Sequence, residues 1–141
     1  MTDLTVNIIK IIHAPIEKVF DAWLNPKMLS KFMMPMPGMP EPDVKNDARK
    51  GGKFTIIMHV GDDNLPHNGE YLTINRPNKL VFTWVSDNSV DNSRVTLNFT
   101  KIDDFKTNIS LSQDKLFDEK SRSDHEGGWG NILDKLNDLM S

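Results

Sequence analysis

Two histidines and two aspartates lie close together near the middle of the sequence and could bind a metal ion. His59 and His67 flank Asp62 and Asp63, which puts four nitrogen and oxygen donors within nine residues. Zinc accepts imidazole and carboxylate ligands. However, residues 61–64, Gly-Asp-Asp-Asn, are typical of a hairpin tip, and strand alternation places His59 on an outward face. We therefore predict no metal site here.

Acid–base chemistry is the second possibility, and His125 and Tyr71 are the candidates because both side chains can exchange a proton. Glu70 precedes Tyr71 on the same strand and so points to the opposite face, which argues against a Glu–Tyr pair. His125 shares a helix face with Trp129 and could bond a polar ligand head. The ordinary alternative is a histidine satisfied in the core or at its rim. No nucleophile elbow, phosphate loop or dinucleotide fingerprint is present, so we predict no catalytic residue and no cofactor.

The segment KFMMPMPGMP, residues 31–40, combines four methionines with three prolines. Proline disfavours regular helix, and methionine suits surfaces that accept varied apolar shapes. We interpret Met33, Met34, Met36 and Met39 as an apolar lid at the mouth of a cavity. The main alternative is that they only pack on the domain. Copper(I) binding by thioethers is a weaker alternative, since no cysteine is available to assist. Membrane docking is another weaker alternative.

The elements that would hold these residues begin with a strand and two short helices. Residues 4–13 are rich in β-branched side chains and predict a strand. The strand is apolar on both faces, which indicates either pairing with another subunit or cover by a helix. Helical spacing predicts one helix from Ile16 and a second after Asn25, with Asn25 as its cap. From Gly52 the period changes to two, which predicts an antiparallel meander with one dry face that includes Phe54, Ile56 and Met58.

A long amphipathic helix is predicted at the end of the chain. Residues 123–126, Ser-Asp-His-Glu, match a capping box, and an apolar stripe runs from Trp129 onward. Gly127, Gly128 and Gly130 each cost about 1 kcal/mol against alanine in a helix interior. Either the regular helix begins only near Trp129, or the glycines allow close approach to the sheet, or their missing side chains leave open volume beneath Trp129. The dry face of the sheet and the helix stripe must cover each other.

Composition limits the class of protein. The 141 residues predict a single domain over residues 1–141, and the absence of cysteine excludes disulfides. The net charge of −3 is mixed along the chain, without the basic stripe of a nucleic-acid binder. No apolar run is long enough for a membrane span. Residues 1–5 lack the features of an export signal. We therefore expect a cytoplasmic protein that binds neither nucleic acid nor membrane.

Three stretches of sequence resemble a known family. They are APIEKVFDAWLNP at 14–26, GEYLTINRPNKLVFTW at 69–84 and HEGGWGNILDKL at 125–136. Together they resemble the homologues of the activator of the heat-shock-protein-90 ATPase, within the START-like or SRPBCC superfamily. The resemblance covers essentially the whole chain. It implies an α+β helix-grip fold, in which a curved antiparallel sheet wraps around the long C-terminal helix with a cavity between them.

The same resemblance implies three possible functions. Superfamily members bind hydrophobic or amphipathic small molecules in that cavity, some perform cyclase or hydrolase chemistry, and the eukaryotic namesake stimulates the chaperone's ATPase. We expect binding of a small hydrophobic molecule, with an enzyme and a chaperone-interacting module as alternatives. Aromatic and methionine side chains would supply apolar contact, while Tyr71, His125 and the indole N–H groups would orient the ligand. The predicted ligand-binding residues are Trp23, Met28, Phe32, Met33, Met36, Phe54, Met58, Tyr71, Trp84, His125 and Trp129.

Overall fold

The computed structural model describes residues 4–36, 38–86, 93–116 and 118–140. Residues 1–3 of the N-terminus and Pro37 of the methionine-rich segment lie outside these ranges. The strands are β1 (Leu4–Ile12), β2 (Asp43–Asn46), β3 (Lys53–Val60), β4 (Asp63–Asn75), β5 (Lys79–Thr83), β6 (Arg94–Asp103) and β7 (Lys106–Leu116). The helices are α1 (Ile16–Ala22), α2 (Pro26–Phe32) and α3 (Glu119–Met140).

The strands form one antiparallel sheet in the order β1-β7-β6-β5-β4-β3-β2. The long C-terminal α3 packs against β1 and β7, and α1 and α2 follow β1 as predicted. The α+β helix-grip architecture is therefore confirmed. The short strand β2, which pairs with β3, was not predicted.

Strand β4 has a register shift between Tyr71 and Thr73, near the point where its pairing changes from one neighbour to the next, and such irregularities bend a strand. Its first half pairs with β3 and its second half with β5. Gly69 lies where the two pairings meet, and a Cβ there would overlap the Thr83 carbonyl oxygen and the Phe54 ring. Only glycine permits so close a backbone approach. This bend carries the β3–β4 hairpin toward the N-terminal half of α3.

The two faces of the strands are separated as the alternation predicts. Phe54, Ile56 and Met58 of β3 are all buried in the core. On β1, Val6 and Ile12 are buried, since α3 packs on that side. The side chains on the opposite face of β1 are not buried in this way, and Ile9 on that face is 72% exposed. Helix cover thus accounts for one apolar face of the first strand but not for the other.

Both short helices begin as predicted. The Asn25 side-chain oxygen accepts hydrogen bonds from the backbone N–H groups of Lys27 and Met28, at 2.9 and 3.2 Å. Pro26 then occupies the first turn of α2, where its missing N–H leaves nothing unpaired. Capping by Asn25 fixes where α2 starts and therefore where the methionine-rich segment leaves it.

The predicted capping box of α3 is wrong. The helix begins at Glu119, so residues 123–126 lie inside it rather than at its start. The cap is supplied by Asp118, whose Oδ1 accepts from the Ser121 backbone N–H at 2.7 Å. Arg122 joins Glu119 and Glu126 by ion pairs of 2.7 Å on the surface of the first two turns. Pairs at this spacing stabilise a polar first turn that has no apolar periodicity to mark it.

Candidate functional site

A cavity of about 820 Å³ lies between the sheet and the first half of α3. Its walls come from α3, from the β3–β4 hairpin, from Trp84 and Ser86 after β5, and from the methionine-rich segment after α2. Exposed residues such as Met36 and Lys120 line it as well as buried ones, so the cavity opens to solvent. Its apolar lining includes Pro35, Met36, Met39, Met58, Val60, Leu65, Trp84, Trp129 and Ile132.

Aromatic rings form one wall of this cavity. The rings of Trp84 and Trp129 have centroids 5.0 Å apart, and the His67 ring lies 5.0 Å from that of Trp84 at an interplanar angle of 33°. Phe54 packs behind Trp84 at 6.2 Å. The Trp84 and Trp129 planes are tilted by 57° to each other, so the wall offers two apolar ring surfaces at an angle, each packed against a neighbouring ring.

The indole N–H of Trp129 is already bonded within the protein. It donates to Gln113 Oε1 at 2.7 Å, and Gln113 Nε2 donates to Ser93 Oγ at 3.0 Å. The Ser93 hydroxyl in turn donates to the Asp114 carbonyl at 2.7 Å. Gln113 and Ser93 are fully buried, so this chain fixes the ring from behind. The prediction that the Trp129 N–H orients a ligand is therefore wrong, although the ring itself lines the cavity.

The imidazole of His125 has one nitrogen bonded and one open. Its Nδ1 lies 2.7 Å from the backbone carbonyl oxygen of Ser121, one helical turn earlier. A carbonyl oxygen can only accept, so Nδ1 carries a proton and donates it. His125 lines the cavity and is only partly buried. Its Nε2 makes no hydrogen bond with the described residues.

The glycines of α3 lie in regular helix, so of the three alternatives the one in which the helix begins only near Trp129 is wrong. A Cβ at Gly127 or Gly130 would meet nothing within 4 Å. At Gly128, which lines the cavity, it would lie 3.1 Å from the Cβ of Pro35. The Asn131 side chain also donates to the Pro35 carbonyl oxygen at 2.8 Å. Asn131 thus fastens the methionine-rich segment to α3 at the cavity edge, and the absence of a side chain at Gly128 leaves room for Pro35.

A second, much smaller cavity of about 10 Å³ lies deeper in the core. Tyr71 lines it, and its hydroxyl oxygen accepts a hydrogen bond from Asn46 Nδ2 at 3.1 Å. Burial raises the pKa of Tyr71, and the Asn46 bond opposes that rise in part. Trp23 lines the same cavity, and its buried Nε1 has no hydrogen-bond partner among the described residues.

The predicted ligand-binding residues divide into three groups. The large cavity brings together Met36, Met58, Trp84, His125 and Trp129. The small cavity is lined by Trp23, Met33, Phe54 and Tyr71, and also by Trp84. The structure places Met28 and Phe32 along neither cavity: Met28 packs against the core and Phe32 is fully buried in it.

Several residues of the large cavity were missed by sequence reasoning. Leu65 and His67 belong to β4, just after the hairpin tip, and Ser121 belongs to the first turn of α3, which was not expected to be helical. Asp124 lies inside the predicted capping box but was not expected to line a cavity. Ser121, His125 and Gly128 are spaced by four and three residues, which is the signal of a shared helix face. A correct helix start would have revealed that face.

The cluster around His59 bonds internally. Its Nδ1 lies 2.7 Å from Asn64 Oδ1, and its Nε2 lies 3.2 Å from the exposed carboxylate of Asp43. Across residues 4–36, 38–86, 93–116 and 118–140, no group of three histidine or acidic side chains is placed to hold a metal ion. None of the helices in those ranges combines the length and the apolar character that crossing a bilayer requires.

Comparison with known proteins identifies the family. The family model for "Activator of Hsp90 ATPase homolog 1-like protein" matches residues 13–141. The chain belongs to this family. No curated protein matches the sequence. The family assignment agrees with the helix-grip fold and covers all the elements that form the cavity.

Solved structures share the fold at low sequence identity. The crystal structure of protein CV1439 from Chromobacterium violaceum is 22% identical and superposes with a TM-score of 0.85, covering 97% of this chain and 96% of that chain. The solution structure of ChR145 from Cytophaga hutchinsonii is 23% identical, with a TM-score of 0.76 and coverage of 99% and 95%. CalU16 from Micromonospora echinospora is 24% identical, with a TM-score of 0.73 and coverage of 97% and 76%. At these identities the likeness concerns the SRPBCC-type fold alone.

Proposed function

We propose that this member of the Hsp90 ATPase activator homologue family binds a small hydrophobic or amphipathic molecule between the sheet and α3. The observation that carries the proposal is the cavity of about 820 Å³. Its volume falls within the roughly 300–1,000 Å³ of small-molecule sites, which are typically apolar with a few polar groups. Methionine side chains at the opening can adapt to different apolar shapes.

A screen by chemical-shift perturbation tests the proposal. Lipids, flavonoids and polyketides are added to isotope-labelled protein, and the three indole N–H signals are followed. We expect a hit to shift the signals of Trp84 and Trp129, which line the large cavity, more than the signal of Trp23, which does not. Shifts that are strongest at Trp23, or spread evenly over the surface, would contradict binding in the large cavity.

A pair of substitutions in β3 sharpens this test. Val60→Phe puts a larger side chain into the large cavity and so reduces the space for a ligand. Ile57→Phe also introduces a phenylalanine, but at a half-buried position that lines neither cavity. We expect Val60→Phe to weaken the affinity for a hit and Ile57→Phe to leave it unchanged. Equal effects of the two substitutions would argue against the cavity as the site.

The family assignment supports a second candidate, a module that acts on a chaperone ATPase. The two candidates are separated by measuring chaperone ATPase activity with and without this protein. Stimulation of the ATPase, together with a ligand screen that yields no hit, would favour the module. If a hit is instead converted to product, the cavity belongs to an enzyme.

A further inference from the structure

The hydrogen bonding of His125 determines what its other nitrogen can do. Because Nδ1 donates to the Ser121 carbonyl, the neutral ring carries its proton on Nδ1 and a lone pair on Nε2. The bond runs to backbone within the same helix, so it holds both the tautomer and the ring orientation. A neutral His125 therefore offers a ligand an acceptor and not a donor.

The charges around the cavity disfavour an anionic ligand. Its charged lining within the described residues consists of Asp118, Asp124 and Lys120, which leaves one net negative charge. The positive end of α3 is already occupied by Asp118, which caps the helix at Ser121. Lys120, the one ammonium, is paired with Asp124 at 3.0 Å. Two carboxylates therefore oppose the one ammonium of this described lining, which disfavours a carboxylate or a phosphate as the ligand head.

A cationic head gains little from the same groups. The Asp124 carboxylate is engaged by Lys120, and the Asp118 carboxylate accepts from the backbone. Moving an ammonium from water into a largely apolar cavity carries a desolvation cost that these engaged carboxylates do not offset. A neutral hydroxyl has a smaller desolvation cost than an ion, and a hydrogen bond to the lone pair on His125 offsets it.

We propose that His125 Nε2 accepts a hydrogen bond from a hydroxyl group on an aromatic ligand that stacks on one of the two tilted rings, Trp84 or Trp129. This proposal rests on the proposed function and names the class of molecule, a hydroxylated aromatic or polycyclic compound. The wall supplies stacking area and His125 supplies polar selection. Because His125 is only partly buried, the selection for a hydroxyl should have the size of one neutral hydrogen bond.

Four probes of one ring size test the head group. Naphthalene, naphthol, naphthoate and naphthylmethylamine are titrated into the wild-type protein, His125→Phe and His125→Gln, with binding followed by tryptophan fluorescence and by calorimetry. His13→Phe is the matched control, since His13 is exposed and lines neither cavity. We expect wild-type protein to prefer naphthol over naphthalene by about fivefold, the value of one neutral hydrogen bond.

The variants should remove that preference selectively. His125→Phe should bind naphthol and naphthalene equally, His125→Gln should recover part of the preference through its amide oxygen, and His13→Phe should behave as wild type. Binding of naphthalene by His125→Phe, at whatever affinity, would show that the cavity still forms in the variant. Nitrogen chemical shifts of His125 should show an unprotonated Nε2 in the free protein and a shift of Nε2 when naphthol binds.

The outcomes separate this proposal from the proposed function. If naphthoate or naphthylmethylamine binds more tightly than naphthol, or if His125→Phe keeps the naphthol preference, the hydroxyl assignment is overturned while ligand binding stands. If none of the four probes binds to the cavity of the wild-type protein, both the hydroxyl assignment and the proposed binding function are refuted for aromatic ligands. A proton on Nε2 in the free protein would overturn the assignment without any ligand.

Discussion

Replacing the three glycines of α3 with alanine, one at a time, tests how the helix and the methionine-rich segment meet. Alanine is favoured over glycine by about 0.8–1 kcal/mol in a helix interior. At Gly127 and Gly130 the added methyl group meets nothing within 4 Å, so the full gain should appear. For a chain of this length that corresponds to an increase in melting temperature of about 3 °C.

Gly128 should behave differently because the new methyl group would lie 3.1 Å from the Cβ of Pro35. That distance is closer than carbon atoms prefer, and Pro35 must move by a few tenths of an ångström or the strain remains. We expect the strain to cancel most of the propensity gain, leaving Gly128→Ala within about 0.5 kcal/mol of wild type.

Thermal and urea denaturation followed by circular dichroism measure these differences, and the urea slope should stay constant across the series. An equal gain at all three positions would show that Pro35 does not pack closely on Gly128. No gain at Gly127 and Gly130 would show that this part of α3 is not regular helix. Either result would contradict close packing of Pro35 against a regular helix at the cavity edge.

Three further predictions concern other parts of the molecule. Gln113→Met should lower the free energy of unfolding by about 1–3 kcal/mol, because it leaves a buried indole N–H unpaired, and chemical denaturation measures the loss. Tyr71 is the only tyrosine, so phenolate absorbance should show it ionising above its ordinary pKa of 10.0, and Asn46→Ala should raise that pKa further. Because the folded protein holds the Tyr71 proton more tightly than the unfolded chain does, the free energy of unfolding should fall as pH rises through the folded-state pKa. Hydrogen bonding from Arg76 lowers the pKa of Asp21. Asp21→Asn should therefore reduce the free energy of unfolding by less than about 1 kcal/mol at neutral pH, and should have no effect at acid pH, where the wild-type carboxyl is protonated. Melting curves recorded over a range of pH measure this difference.

The elements with a strong period could be predicted from the sequence. Alternation along β3 separated the buried Phe54, Ile56 and Met58 from their neighbours, because a strand with one dry face must alternate. The start of α2 was equally readable, since asparagine before proline specifies a cap and a first turn together. In both cases local chemistry and tertiary packing demand the same residues.

The start of α3 could not be read in this way. Its first two turns are held by ion pairs of Arg122 and by the Asp118 cap, and neither leaves an apolar pattern. A serine and a glutamate three residues apart then imitated a cap from inside the helix. The error hid the face shared by Ser121, His125 and Gly128, and with it the polar end of the cavity.

The methionines show why composition predicts a cavity better than it predicts its boundary. Met33 and Met36 are three residues apart in one loop, yet Met33 is 1% exposed and Met36 is 46% exposed. A loop with prolines has no period that assigns its side chains to faces. Met33 is the C-cap of α2, where its backbone N–H donates to the Leu29 carbonyl oxygen. Met36 instead follows Pro35, which accepts a hydrogen bond from Asn131 and lies beside Gly128, nearly a hundred residues later in the sequence. Substitutions at those two positions of α3 should therefore alter ligand preference through Met36 and Met39, although the methionines themselves are unchanged.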